Sequence, residues 1–498
     1  MFEKITPEKA GISSVYVKKF IEKLEYYGLC SHGLVLMRDD KIFSEHYWAP
    51  FNKDSLNRMY SQTKSFVGIG IGILEAEGKL SLSDKISTHF PEKIERDLPP
   101  YLKDLTIEEM LTMQTTGNSG HKGYWFHDGD IAYDRTSLYF NYVDARRPGG
   151  TIWEYDSPGT QVLSSLIEKI SGMSLLEFLK EKMFNKLGTF KTAEILKCKN
   201  DDSWGDSAML CTVRDICSFA WLLKEKGIYN GEELVPSDYV KKATTPQADN
   251  NETGFESNPF TYGYGYKIWC TKNGGFAFVG MGQQLTVCYP EKNLIFSYTS
   301  DNQGYLSSRS VVMNLLDCFI LDNLSDESLP ENKEAYDDYI NSTDNLKLYA
   351  LKGATTSPLI EKINNVRFVC SENECGFKEF HFEFKDETKG EFHYENEQGK
   401  KVIYFGIGEN AFAPFPQLGY STLHGGTVST DGSMYDSASS LIFTTERNIG
   451  LKVQIIDKYL GNLYMRFGFK DDEAVIKLSK TAENFLEEYQ GYIVAKKA

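Results

Sequence analysis

The chain has 498 residues, more than one hydrophobic core usually supports, so two domains are expected. Its composition, 41% hydrophobic, 13% aromatic and 25% charged, argues against disorder, and no window approaches the roughly 18 consecutive apolar residues of a membrane-spanning helix. A net charge of -16, with no run of Lys or Arg longer than a pair, removes the electrostatic footprint of nucleic-acid or anionic-membrane binding and favours small or neutral partners.

Met1-Phe2-Glu3-Lys4-Ile5-Thr6-Pro7 contains no apolar segment and no small-residue cleavage site of the secretory kind. Nine scattered cysteines without a CxxC pair suit reduced thiols, so a cytoplasmic protein is expected. Cys370 and Cys375 lack two further ligands nearby, and the eight histidines offer no HExxH or HxH pair, so neither a metal nor a cofactor is expected. His121 and His127 fall in a Gly-rich aromatic loop, where hydrogen-bonded or solvated histidine is the commoner state.

In chain order, Val15 to Leu24 reads as an amphipathic helix, followed by strands at Gly33 to Met37 and Lys41 to Phe43 around the turn Arg38-Asp39-Asp40. From Ser65, the run Phe66-Val67-Gly68-Ile69-Gly70-Ile71-Gly72-Ile73-Leu74 is apolar on nearly every face, which describes a buried central helix. Helical patterns follow at Leu163 to Ile170, closed by Gly172, and at Leu175 to Leu187, closed by Gly188. Alternation returns at Gly265 to Trp269, Phe276 to Val279, Leu285 to Tyr289 and Leu294 to Tyr298. A strand pair, a helical middle and later strands fit one antiparallel sheet built from both ends of the segment and flanked by helices, an α/β (α+β) fold.

The texture changes after about residue 320. A first domain over 1–325, an acidic linker over 326–345 and a C-terminal β-domain over 346–498 are expected. Phe380, His381, Phe382, Glu383 and Phe384 alternate, as do Lys452 to Ile455 and Arg466 to Phe469. These predict a small antiparallel barrel or half-barrel ending in a helix from Thr481 to Tyr489. Its polar residues show no catalytic spacing, so it reads as a lid, brace or homo-oligomerisation module.

The chemistry rests on Ser61-Gln62-Thr63-Lys64, because residues three apart on a helix share a face and can hydrogen-bond. A serine hydroxyl is a poor nucleophile at neutral pH. A lysine activates it only if burial and neighbouring charge lower its proton affinity, and a buried apolar helix supplies the burial. The start of that helix also favours negative charge at the Ser61 backbone N–H. Ser119-Gly120-His121-Lys122 repeats the spacing, but no apolar helix follows it.

Several further segments accompany Ser61 to Phe66 in order: Glu75 to Lys85, Leu105 to Gly117 and Tyr262 to Tyr266. Together they resemble the β-lactamase-related serine hydrolases, which look like class C β-lactamases and penicillin-binding proteins, over roughly residues 5 to 320. The resemblance implies a β-lactamase-like antiparallel sheet flanked by helices, an acyl-enzyme on Ser61 and no metal. The family's Tyr-x-Asn motif has its best counterpart in Trp153-Glu154-Tyr155-Asp156-Ser157-Pro158-Gly159, with Ser157 in place of the Asn. This assigns Tyr155 to pass the proton to the leaving group. Tyr139-Phe140-Asn141 matches the tripeptide literally but lacks a following helix.

The third motif, Lys-Thr-Gly, is also altered. Lys272-Asn273-Gly274 reads better as a hairpin turn. Gly280-Met281-Gly282-Gln283-Gln284 resembles the corresponding segment of the nylon-oligomer hydrolase branch, which implies that the backbone N–H groups of Met281 and Ser61 form the oxyanion hole. Gly280 and Gly282 then allow close approach of the acyl group. Tyr124, Trp125, Phe126 and Tyr133 read equally as a pocket lining or as a packed loop. These departures move the expected substrate from β-lactams to another small ester or amide. Transfer of the acyl group to an alcohol or amine is the alternative reaction, and a non-catalytic ligand-binding or scaffold protein the alternative class.

Overall fold

The computed structural model describes residues 2–117, 134–251, 259–305, 307–418, 432–482 and 485–498. The chain divides into two compact units, the first running to Lys347 and the second beginning at Leu348.

The first unit is built on a seven-stranded sheet. Its strands are β1 (Glu3–Lys4), β2 (Ser31–Arg38), β3 (Lys41–Tyr47), β4 (Trp269–Thr271), β5 (Gly275–Gly280), β6 (Gln284–Tyr289) and β7 (Leu294–Ser300). Their spatial order is β1-β3-β2-β7-β6-β5-β4, so the N-terminal hairpin joins the later strands through β2 against β7. Every pairing is antiparallel except β1 with β3.

Alternation divides the sheet residues between two cores. On one face Leu34, Leu36, Val287 and Phe296 meet α1 (Ser14–Tyr26) and α5 (Ser308–Phe319). The helix α1 buries Val17, Phe20, Ile21 and Leu24, the i, i+3, i+4, i+7 stripe that its sequence shows. On the other face Val35, Met37, Phe278 and Ile295 meet α2 (Thr63–Ala76), α3 (Ser157–Ser171) and α4 (Val213–Lys224). All residues of α2 from Thr63 to Leu74 are buried, and its glycines admit neighbours closely. A Cβ on Gly68 would stand 2.7 Å from the Tyr266 carbonyl oxygen, and one on Gly70 2.7 Å from Ile167 Cδ1.

Two local expectations need correction. Only Trp269 of the expected strand Gly265 to Trp269 is extended, because Lys267 takes a left-handed φ of 59° that breaks the strand. Within 326–345, read as a linker, lies α6 (Lys333–Thr343), and its Tyr339 hydroxyl donates to Ser44 Oγ at 2.9 Å.

The second unit is a closed β-barrel. Its strands are β8 (Phe368–Cys370), β9 (Glu379–Phe384), β10 (Lys389–Asn396), β11 (Gly399–Ile407), β12 (Ala411–Leu418), β13 (Met434–Thr445), β14 (Asn448–Ile456), β15 (Leu460–Lys470), β16 (Glu473–Ala482) and β17 (Gly491–Lys497). They run in the order β11-β10-β9-β8-β17-β16-β15-β14-β13-β12, and parallel pairing of β11 with β13 closes the ring. Alternate residues such as Phe380, Phe382, Phe392 and Phe467 fill the interior; the Phe382 ring lies 5.0 Å from Phe392 and 4.9 Å from Phe467. The expected helix from Thr481 to Tyr489 is absent among the described residues. Thr481 and Ala482 instead extend β16 against Asn462 and Gly461, because ladder bonds to β15 outweigh local helical preference there. Among the described residues, no helix is long and apolar enough to cross a membrane.

Candidate active site

Ser61 occupies a short 3-10 turn, Tyr60–Gln62, that runs directly into α2 at Thr63. Three hydrogen bonds, to β6 and to Met209, hold the turn and its flanks. Gln62 Oε1 accepts from Thr286 Oγ1 of β6 at 3.1 Å, the Met59 amide donates to Met209 O at 2.8 Å, and Thr63 Oγ1 accepts from the Met209 amide at 3.1 Å. Lys64, one turn along the helix and only 1% exposed, donates from Nζ to Ser61 Oγ at 3.0 Å and to the Asp206 carbonyl at 2.7 Å. The three-residue spacing thus becomes a contact, and a second anchor fixes the lysine's position.

Tyr155 is half-buried and approaches Lys64 with its ring face, the centroid lying 5.2 Å from Nζ. A positive charge is attracted to that face. The phenol ring stacks on Trp269 at 5.6 Å and 22°, and Trp153 and Tyr264 continue the aromatic wall. Asp156, fully buried, caps α3 by accepting from the Gly159 amide at 3.1 Å; Ser157 is the first residue of that helix.

The end of β5 lies against the start of the turn that carries Ser61, since a Cβ on Gly280 would stand 2.3 Å from Met59 O. Gly282 has a φ of 75°. Gln284 Nε2 donates to Met281 O at 3.1 Å and Ser300 Oγ to Gly282 O at 2.7 Å, so the loop is fixed at both residues. Trp125, with Tyr124, Phe126, Tyr133, His121, His127 and the alternative pair Ser119 and Lys122, lies outside the described residues.

The rival motifs lead elsewhere. Tyr139 is buried in a helix (Arg135–Tyr142), its hydroxyl donating to Asp156 Oδ2 at 3.4 Å. Lys272, Asn273 and Gly274 form the turn between β4 and β5, Asn273 and Gly274 with the positive φ of 57° and 64° that a tight hairpin turn uses, and Lys272 pairs with Asp317 at 2.6 Å.

The sequence reading missed a second lysine. Lys267 is 1% exposed, and its Nζ donates to the Met113 thioether at 3.2 Å, a sulfur that also accepts from the Asp156 amide at 3.2 Å. Its carbonyl accepts from Ser65 Oγ at 2.8 Å, so it joins the start of α2 to the turn carrying Tyr155. Burial pushes its amine down to about 7, with Asp156 and Asp206 opposing and Lys64 reinforcing the effect. Arg309, in the first turn of α5, reaches toward Gln283 Oε1 at 3.4 Å and lies 5.7 Å from the Phe260 ring. It makes no ion pair with a carboxylate among the described residues. A lysine interrupting an apolar alternation was the one signal of Lys267 in the sequence; Asp156 and Arg309 gave none.

Backbone strain gathers here too. Tyr60, Met113, Lys267 and Gln283 are non-glycine residues with φ of 48°, 61°, 59° and 69°. Such conformations persist where the surroundings over-determine them, and they cluster at functional sites.

Known proteins resemble much of this chain. The Beta-lactamase family matches residues 17–311, well over half of the chain. A 6-aminohexanoate-dimer hydrolase of Paenarthrobacter ureafaciens is 24% identical over 270 residues, 51% of this chain and 69% of that protein. Penicillin-binding protein 4* of Bacillus subtilis (strain 168) is 25% identical over 280 residues, 51% of this chain and 58% of that one. Among solved structures, a Bacillus anthracis protein provisionally described as a 6-aminohexanoate-dimer hydrolase superposes with a TM-score of 0.54 at 18% identity, covering 66% of this chain and 89% of its own. EstCE1, described as a hydrolase with promiscuous acyltransferase activity, gives 0.50 at 12% identity, covering 61% and 98%. The chain therefore belongs to the Beta-lactamase family, whose fold its first unit adopts.

Proposed function

We propose that this protein is a serine hydrolase that cleaves a small ester or amide through an acyl-enzyme on Ser61. The observation that carries the reading is the buried Lys64 amine 3.0 Å from Ser61 Oγ. In this scheme the Lys64 amine, when neutral, accepts the Ser61 hydroxyl proton as Oγ attacks the carbonyl carbon. The backbone N–H groups of Ser61 and Met281 hold the resulting oxyanion. Tyr155, beside Lys64, relays the proton to the leaving alcohol or amine, and water then releases the acid and restores Ser61. Ser157, Gly280, Gly282 and Trp125 complete the substrate site in this proposal.

Arg309 beside Gln283, without a carboxylate partner among the described residues, favours a substrate with an anionic end. A linear amide with a terminal carboxylate, such as the 6-aminohexanoate dimer for which one relative is named, has that chemistry. Nine cysteines without a disulfide support a cytoplasmic setting.

Labelling with a serine-directed fluorophosphonate, wild type against Ser61→Ala, tests the reading. Labelling of the wild type alone, with turnover of p-nitrophenyl esters, supports it; an unlabelled wild type without turnover removes both enzyme readings and leaves a ligand-binding scaffold. An ester product that forms only when an acceptor alcohol is added marks the acyltransferase alternative, which the EstCE1 likeness brings to mind.

A further inference from the structure

The face of β9 and β10 turned away from the barrel interior pairs like with like. Glu379 opposes Glu395, His381 opposes His393, and Glu383 opposes Glu391. Identical charges placed directly across a ladder are destabilising unless something positive lies between them. Lys378 and Arg367 serve Glu395 and Glu379 singly, whereas Glu383 and Glu391 share one cation: Lys385 Nζ lies 2.5 Å from Glu383 Oε1 and 3.3 Å from Glu391 Oε1. The imidazoles of His381 and His393 stack at 4.5 Å and 7°. His393 turns its Nε2 into the same space, 2.7 Å from Glu391 Oε2 and 3.6 Å from Glu383 Oε2.

We infer that Glu383, Glu391 and His393 form a surface site for a divalent zinc ion, with Lys385 as its built-in competitor. One donor atom of each residue lies within 4.8 Å of the others. Bonds of about 2.0–2.2 Å from a tetrahedral zinc to nitrogen and oxygen set neighbouring donors about 3.3 Å apart. The distances of 2.7 and 3.6 Å around His393 bracket that value, and the two carboxylates reach the same space from neighbouring strands. Two carboxylates and an imidazole suit a borderline ion, whereas magnesium and calcium prefer all-oxygen sets. The fourth position falls to water. Binding expels the Lys385 ammonium to solvent and neutralises the facing glutamates with two charges instead of one. No segment of adjacent residues could announce the site, since each strand contributes an H-x-E or E-x-H pair and only the register brings them together.

The test is calorimetric titration of the full chain with zinc chloride in a non-coordinating buffer, alongside His393→Ala, Glu391→Gln and Lys385→Ala. Circular dichroism confirms that each variant keeps its fold. The expected result is one zinc per chain at micromolar concentration. His393→Ala and Glu391→Gln should weaken binding by about tenfold or more, and Lys385→Ala should tighten it. No zinc uptake, undiminished affinity in folded His393→Ala, weaker binding in Lys385→Ala, or magnesium binding as tight as zinc would each overturn the assignment.

Discussion

Replacing Lys267 by Met removes an amine that the fold keeps from its ordinary protonation. Its value is about 7 in the folded protein against an ordinary 10.5, so between these limits the unfolded chain holds a proton that the native one lacks. Wild-type stability should therefore rise with pH across that window, by about 5 kcal/mol in all at about 1.4 kcal/mol per pH decade. Below about pH 7 both states are protonated and the full cost of burying the amine is present; above about 10.5 it is gone. Lys267→Met carries no such proton. Its stability relative to wild type should thus be most favourable near neutrality and decline by about 4 kcal/mol between about pH 7 and pH 10.

Whatever constant cost arises from leaving Asp156 without its neighbouring amine cancels in that difference. Urea unfolding followed by tryptophan fluorescence is the suitable assay, because all six tryptophans, Trp48, Trp125, Trp153, Trp204, Trp221 and Trp269, belong to the first unit. A stability difference that stays constant with pH would refute the claim that Lys267 is buried as a neutral amine.

Gly68→Ala should destabilise the first unit by about 1–3 kcal/mol in the same assay, since the new methyl meets the Tyr266 carbonyl and lies 3.0 Å from Lys267 Cβ. Asp156→Ala, which removes the α3 cap, should cost about 1–2 kcal/mol. Because the capped helix adjoins Tyr155, kcat for ester hydrolysis should fall more than KM rises. Glu45 is held down to about 2: burial raises its carboxyl, but hydrogen bonds from Arg214, Lys4 and Tyr47 overcome that. Its stabilisation is present above about pH 4.5 and fades as pH falls toward 2, so Glu45→Gln should lose about 3 kcal/mol at neutral pH and approach wild type on acidification. Lys64→Ala should lower kcat by a factor of about 100 to 10,000 while labelling by fluorophosphonate slows in parallel; full activity would remove Lys64 as the base.

Ser61, Lys64 and their helix were legible in the sequence because the relation between them is local. Three residues along a helix always share a face, and an apolar run of helical length announces its own burial. The strands β2, β3, β5, β6 and β7 and the caps at Gly172 and Gly188 were legible for the same reason, since alternation and left-handed glycines act within a few residues. Tertiary structure decided the rest. It set Tyr155 with its ring over Lys64, drew Lys267 and Asp156 onto one thioether, and laid Gly280 against the start of the turn that carries Ser61. It also made Thr481 and Ala482, where a helix was expected to start, the end of a strand, because ladder bonds to Asn462 and Gly461 were available there. Local pattern fixes which face of an element is apolar; which polar groups share a buried space depends on packing between segments far apart in the chain, and the site's electrostatics arise at that level.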